Sequence, residues 1–246
     1  MKPGNIFERS ANNVLTRFGV RLKRERPMRD PIQLFLLKSR ELGVATILDV
    51  GANRGQFASK ILASGWNGDL VSFEPVSETH SMLTEAKVAA ANPRWFISPA
   101  FALGSETATA EINVARNLVS SSLLQIRGAF ADVDKETRPV RTETIAVRRL
   151  DDAIEPSWNA PFALKTDTEG FELEVLKGAT STLTRTRVIM IEMFLAPFHD
   201  GGARFGELAS FIVEAGFRCI ALTEGFSDYG RNEVLAVDGV FIRNEV

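Results

Sequence analysis

Two rhythms of apolar residues alternate along this chain. One is the short, β-branched run that suits a strand buried on both faces: ATILDV up to Val50, DLVSF from Asp69, PFALKT from Pro161 and VIMIEMF from Val188. The other is helical spacing. It appears at Phe57, Ile61 and Leu62 in GQFASKILASG, and again in VSETHSMLTEAKVAAA from Val76, LEVLKGATSTL from Leu173 and FGELASFIVEAGF from Phe205. Pro31 suits the first turn of a helix running to about Leu42, with Gly43 as its stop. Gly65 and Gly216 close two later helices, and Ser77 reads as an N-cap. Further strands are predicted in RWFISPAFALG, TATAEINVA, TIAVRRLDD, RCIALT and VLAVDGVFIRN.

Strands separated by helices predict βαβ units, hence an α/β fold with a mostly parallel, seven-stranded sheet and helices on both faces. The last two strands are joined by only a loop, Glu224–Glu233. They must pair antiparallel, because a parallel crossover needs a helix-sized connection. An antiparallel edge is therefore expected late in the chain. Residues 31–246 read as one domain, and residues 115–145 as a polar, serine-rich, irregular insertion long enough to act as a lid.

Composition narrows the partners. The 246 residues carry 29 Lys and Arg against 31 Asp and Glu, a net charge of −2, so no global charge draws the protein to nucleic acid. Residues 1–30 differ, crowding Arg17, Arg21, Lys23, Arg24, Arg26 and Arg29 around Leu15, Phe18, Val20 and Leu22. This segment reads as a solvated leader helix, with contact to a membrane surface as the alternative. With no signal-like apolar core and no long apolar run, a cytoplasmic protein is expected. The single cysteine, Cys219, excludes an intrachain disulfide and, in its apolar run, is expected to be a buried small hydrophobe. Trp66, Trp95 and Trp158 read as packing residues and His80 as solvated. No oligomeric state is read from the sequence.

The loop after the first strand, G51-A52-N53-R54-G55, carries the first chemistry. Its glycines permit a tight turn and close backbone approach to a ligand. The helix that follows offers N-terminal amides to an anionic group. Glu74, closing the second strand, is placed to accept from a ribose diol. A dinucleotide fingerprint needs a third glycine, absent here, which disfavours a nicotinamide-dependent oxidoreductase. D-x-G-x-x-x-G after a buried strand suits S-adenosylmethionine instead, with backbone amides on its carboxylate and Asp49 on its ammonium.

ILDVGANRGQF, VSFEP, the ALG at Ala102–Gly104, NLVSSSL, RRLDD, LKTDTEGFELEVLKGA and IMIEMF follow one another between about Pro31 and Asn244. In this order they resemble the FkbM family of methyltransferases. The resemblance implies a class I, Rossmann-like methyltransferase fold, S-adenosylmethionine as cofactor, and methylation of a hydroxyl on a sugar or natural-product acceptor. It maps family motifs onto Asp49, Gly51, Asn53, Gly55 and Glu74, and onto Asp167, Glu169, Gly170 and Glu172. The same stretches make Ala52, Phe57, Pro75, Ala102, Leu103 and Asp167 further candidates for lining the cofactor site. Thr166 stands where the family more often has isoleucine or valine, and the basic N-terminal segment lies outside the family pattern.

A hydroxyl is a weak nucleophile, so a placed base is expected. Asp167 and Glu169 end a buried strand and are the acidic candidates for acceptor binding and proton removal; crowded carboxylates raise one another's proton affinity. They could alternatively bind a divalent cation, though no metal is expected. Glu172 is open between a chemical role and a helix-start role. Glu192 could join this wall. His199, in the loop FLAPFHDGG, is the remaining catalytic candidate. Ser120–Ser122 and Arg127, Arg138 and Arg141 of the insertion could touch cofactor or an anionic acceptor. The acceptor is expected to be a small molecule or glycan. The non-catalytic alternative is a partner in a glycan pathway.

Overall fold

β1 (Thr46–Val50), β2 (Asp69–Phe73) and β3 (Trp95–Ile97) open the main sheet. β4 (Ala102–Leu103), β5 (Ala108–Ala115) and β6 (Pro139–Arg148) form a separate three-stranded sheet in the order β4-β6-β5. The main sheet resumes with β7 (Phe162–Thr166), β8 (Thr186–Phe194) and β9 (Phe217–Glu224). A small ladder of β10 (Ser227–Asp228) and β11 (Glu233–Val234) then leads into β12 (Ala236–Arg243). The order across the main sheet is β3-β2-β1-β7-β8-β12-β9. The computed structural model describes residues 15–19, 30–127, 135–196 and 198–244. Most of the basic N-terminal segment, Val20–Arg29 included, lies outside the described residues, as do 128–134 of the insertion and Pro197. No helix of the described residues is long and apolar enough to cross a membrane.

The strands alternate their side chains between two cores, as a sheet covered on both faces requires. In β1, Ile47 joins the core holding Leu34 and Phe35 of α1 (Pro31–Glu41), Phe57 and Ile61 of α2 (Gln56–Ala63), and Leu83 of α3 (Ser77–Ala90). Leu48 and Val50 join the opposite core. After α4 (Leu150–Ala153), that core takes in Val175 of α5 (Glu172–Lys177), Leu183 of α6 (Thr180–Thr184), and Leu208 and Ile212 of α7 (Phe205–Glu214). Asp30 caps α1 ahead of Pro31 and accepts from the Ile32 and Gln33 amides.

Several expectations are corrected. The antiparallel strand is β12, inserted between β8 and β9, not the edge. β12 is largely buried whereas most of β9 is not, so burial places the last strand inside and leaves β9 at the rim. Cys219, on that edge strand, is exposed rather than buried. The insertion is not irregular throughout, because β6 occupies its last part and pairs with β5. β6 ends at Arg148, and LDD starts the α4 turn instead of extending the strand. The LEVLKGATSTL helix breaks in two at Gly178, where a Cβ would lie 1.9 Å from the Gly104 carbonyl oxygen. Ser77 is not the N-cap of α3; Val76 is, and Ser77 bonds Glu143. His80 is half-buried with its Nε2 2.8 Å from the Ser98 carbonyl.

β1, β2, β7 and β8 run parallel and end at one edge of the sheet. β12 runs the other way and begins there, with Asp238 opposite Glu192. That edge therefore gathers Glu74, Asp167, Glu192 and Asp238.

Candidate functional site

Gly51 turns the chain at the end of β1 with φ +73°, and a Cβ there would lie 1.8 Å from the Asp167 carbonyl oxygen. Only glycine fits that approach. The amides of Gly51 and Ala52 both donate to the Phe73 carbonyl, at 3.1 and 3.0 Å. The Asn53 amide donates to Glu74 Oε2 at 2.8 Å, the Arg54 amide to Asn53 Oδ1 at 2.9 Å, and the Gly55 amide to the Ala52 carbonyl. The amides of Gly51–Gly55, expected to cradle a carboxylate, each have a protein acceptor here. Asn53 makes this fold-back by adopting φ 47°.

Glu74 is 5% exposed, and its other oxygen accepts from the Val76 amide and the Thr79 hydroxyl. Burial raises its carboxyl, and these bonds offset part of the rise. It lines a cleft together with Gly51, Asn53, Pro75, Ala102, Leu103 and Asp167, seven of the residues named from sequence. Phe101, Ile112 and Leu123 supply an apolar wall. Ala52 and Phe57 line a second cavity, with Lys165 and Asp238. Gly51, Asn53, Val119 and Asp167 border both.

Gly55 and Asp49 line neither space. Gly55 is a packing glycine, because a Cβ there would press on Leu83 and Trp95 at 3.0 Å. Asp49 is 0% exposed, accepts from the Ser72 hydroxyl and pairs with Lys165 at 3.3 Å. The carboxylate expected to meet a cofactor's ammonium thus meets the Lys165 ammonium inside the sheet. Burial alone would lower the Lys165 ammonium, but Asp49 and Asp167 beside it raise it above the ordinary range.

On the far side of Asp167 the charges are not balanced. One oxygen from each of Asp167, Glu169 and Glu192 lies within 4.8 Å of the others. Asp238 faces Glu192 across β12 and β8. Burial and then like charge raise Glu169 and Glu192 well above the usual carboxylate range. Burial pushes Asp238 up to about 6, and Asp167 adds to the shift. Hard divalent cations accept such oxygens, so this trio is also where a metal would bind. Glu172 stands apart, since it accepts from the Thr168 amide and hydroxyl and from the Gly170 amide. It holds the loop that carries Glu169, and burial pushes it up to about 7.

His199 is not on this wall. It is 4% exposed, packed edge-on against Phe194 and Phe198, and neither ring nitrogen has a hydrogen-bond partner. Burial lowers it to about 4, so the ring is neutral. It sits behind Gly170, where a Cβ would meet its Nδ1 at 2.7 Å, and borders a cavity with Arg127 and Arg204. The insertion closes over the cleft through Asn53 Nδ2 to the Leu118 carbonyl and the Ser122 hydroxyl to the Glu169 carbonyl. Ser121 and Ser122 line the cleft, whereas Ser120 bonds Asn117. Arg127 pairs with Asp200, and Arg141 with Glu78 and Glu143, so these two arginines are engaged with acids of the protein.

Lys165 and Asp238 escaped the reading of the sequence. Their signal was present, a lysine and an aspartate inside otherwise apolar runs, PFALKT and VLAVDGVF.

The model of the methyltransferase FkbM domain matches residues 49–219. The chain matches no curated protein. Among solved structures it resembles a putative tRNA (m1A22) methyltransferase from Streptococcus pneumoniae in complex with S-adenosyl-L-methionine. The TM-score is 0.50 at 10% identity, over 87% of this chain and 72% of that one. It also resembles a protein in the NADB-Rossmann superfamily from Streptococcus agalactiae, with TM-score 0.50 and 10% identity over 93% and 72% of the two chains. At these identities the likeness shows a Rossmann-like fold and nothing finer. The matched residues run from Asp49 through the glycine loop, Glu74, Asp167, Glu169 and Glu192 and into β9, and on that match the chain belongs to the FkbM family of S-adenosylmethionine-dependent methyltransferases.

Proposed function

We propose that this protein methylates a hydroxyl oxygen of a sugar-containing or natural-product acceptor. The observation that carries this reading is the gathering of Asp167, Glu169 and Glu192 beside the cofactor loop. An alcohol needs help in losing its proton, whereas a stronger nucleophile would not require such a wall.

The residues fit S-adenosylmethionine. Glu74 Oε2 makes one bond, to the Asn53 amide, and keeps a lone pair for a ribose hydroxyl. The apolar wall of Phe101, Leu103 and Ile112 suits a purine. Past Gly51, the second cavity presents Asp167 and Asp238 to an ammonium group. The bound cofactor supplies an electrophilic methyl group on a sulfonium. With the loop amides occupied, a dinucleotide pyrophosphate would find no cradle, which disfavours the nicotinamide alternative.

Glu169 and Glu192 hold protons more tightly than ordinary carboxylates, so when ionised they are stronger bases. A proton leaving the acceptor hydroxyl would join this shared pool, and Asp167 would orient the hydroxyl at the border of the two cavities. His199, neutral and unpartnered, offers a hydrogen bond to the acceptor from the cavity behind Gly170. The acid wall would repel a phosphate backbone, which favours a small molecule or glycan over nucleic acid.

Titration with S-adenosylhomocysteine, with NAD⁺ as control, comes first. Radiolabelled S-adenosylmethionine is then offered with a panel of hydroxyl-bearing glycosides and with RNA. Label in a methyl ether on a glycoside is the expected result. Label on RNA alone, or tight binding of NAD⁺, would overturn the proposal.

A further inference from the structure

Lys165 is a charged residue enclosed by the sheet. It is 4% exposed in the middle of the sheet, in register with Asp49 across β1 and β7. Its Nζ lies 2.8 Å from the Gly51 carbonyl oxygen, 3.2 Å from that of Val50, 3.3 Å from Asp49 Oδ1 and 3.6 Å from Asp167 Oδ2. Phe57 lies beneath it, with the ammonium 5.7 Å from the ring centroid.

An ammonium has three protons to donate. Two of them go to the carbonyls of Val50 and Gly51, and the third faces the carboxylates of Asp49 and Asp167, so the ammonium is turned inward to the protein. Neutralising Asp49 is not a sufficient reason for it. A buried ion pair replaced by a well-packed neutral pair is often no less stable. What such a replacement lacks is the pair of bonds to the carbonyls of Val50 and Gly51. Those bonds fix the peptide groups on either side of the turn at which Gly51 passes within contact of Asp167. Both cavities share this point.

We infer that Lys165 is the positioning residue of the cofactor loop, holding Val50 and Gly51 from within the sheet so that the loop is set before cofactor arrives. The inference rests on reading the two cavities as the cofactor site. It predicts that affinity follows the carbonyl bonds and not the ion pair.

Three variants separate these terms: Lys165→Met, Asp49→Asn, and the two combined. Lys165→Met alone strands a buried carboxylate and is expected to lower Tm most. The double variant removes both charges and is expected to regain most of that Tm. Its affinity for S-adenosylhomocysteine is nonetheless expected to stay about tenfold to a hundredfold below wild type, the usual worth of hydrogen bonds to a charged group. Amide hydrogen exchange at Gly51–Gly55 in the cofactor-free protein should be faster in the double variant. Asp49→Asn keeps the carbonyl bonds and should bind within about threefold of wild type. A double variant that binds and exchanges like wild type would show that the lysine only neutralises Asp49, and would overturn the inference. So would an Asp49→Asn protein as weakened as the double variant. If wild type itself failed to bind S-adenosylhomocysteine, the proposed function would fall, while the exchange measurement would still decide whether Lys165 holds the loop.

Discussion

The two halves of the sheet's ligand edge carry the same sequence motif and treat it in opposite ways. On the β1–β2 side, Asp49 meets an ammonium and a hydroxyl, and Glu74 meets two amides and a hydroxyl. On the β7–β8–β12 side, Glu169, Glu192 and Asp238 are left with one another, and Glu192 Oε2 has no hydrogen-bond partner. A satisfied acid has its position fixed by its partners, because its charge is already engaged in holding a loop. An acid crowded by its own kind keeps a proton it can exchange, and that suits chemistry. An apolar run ending on a carboxylate therefore has no fixed meaning; the neighbours that register brings decide it.

The sharpest way to break the comparison is to remove charge from each side. Glu192→Gln and Glu169→Gln are expected to lower methyl transfer by about 10²–10⁴-fold, with S-adenosylhomocysteine affinity retained. Unchanged turnover in both would move the base elsewhere. Where the two halves touch, Gly51→Ala forces a Cβ onto the Asp167 carbonyl in a left-handed turn. Denaturant titration should show a loss of about 2–5 kcal/mol, and a neutral result would mean that the loop and the Asp167 strand end can part without cost.

The pH dependence of stability sharpens the contrast. Asp238 is raised from 3.8 to about 6 and Glu172 from 4.5 to about 7. The folded protein binds these protons more tightly than the unfolded chain. Their contribution is full below about pH 4 and is lost as pH rises to about 7. His199, lowered from 6.5 to about 4, works the other way: its contribution is present above pH 6.5 and is lost as pH falls to about 4. Asp238→Asn should flatten the decline between pH 4 and 6 by about 1–3 kcal/mol in chemical denaturation, and an unaltered slope would remove Asp238 from the cluster. The smallest expected effect is that of a chelator. EDTA should leave the rate unchanged if the acids share protons. A rate that falls with EDTA and returns with Mg²⁺ would hand Asp167, Glu169 and Glu192 to a cation.

Much of the fold was legible. Pro31 and Gly43 bounded α1, and the short loop before the last strand dictated antiparallel pairing. Seven of the predicted site residues share one cleft because a parallel sheet delivers all its strand ends to one edge. The failures have physical causes. The glycine loop looked like an anion cradle, yet Asn53 folds its amides back onto β2. His199 was expected beside the strand-end acids, yet Phe194 and Phe198 hold it behind Gly170. Cys219 looked buried, yet its run forms the edge strand.

The sequence by itself determined the alternation of strand and helix, the glycine turn, and which strands end on acids, since these depend on side-chain periodicity and backbone preference within a few residues. Only the tertiary structure decided which acids are neutralised. Asp49 and Lys165 lie in strands far apart in the chain, and Glu192 meets Asp238 only because the last strand inserts beside β8. Such pairings follow from register and sheet order, which the packing of both cores fixes together, and charge on its own could not have selected them.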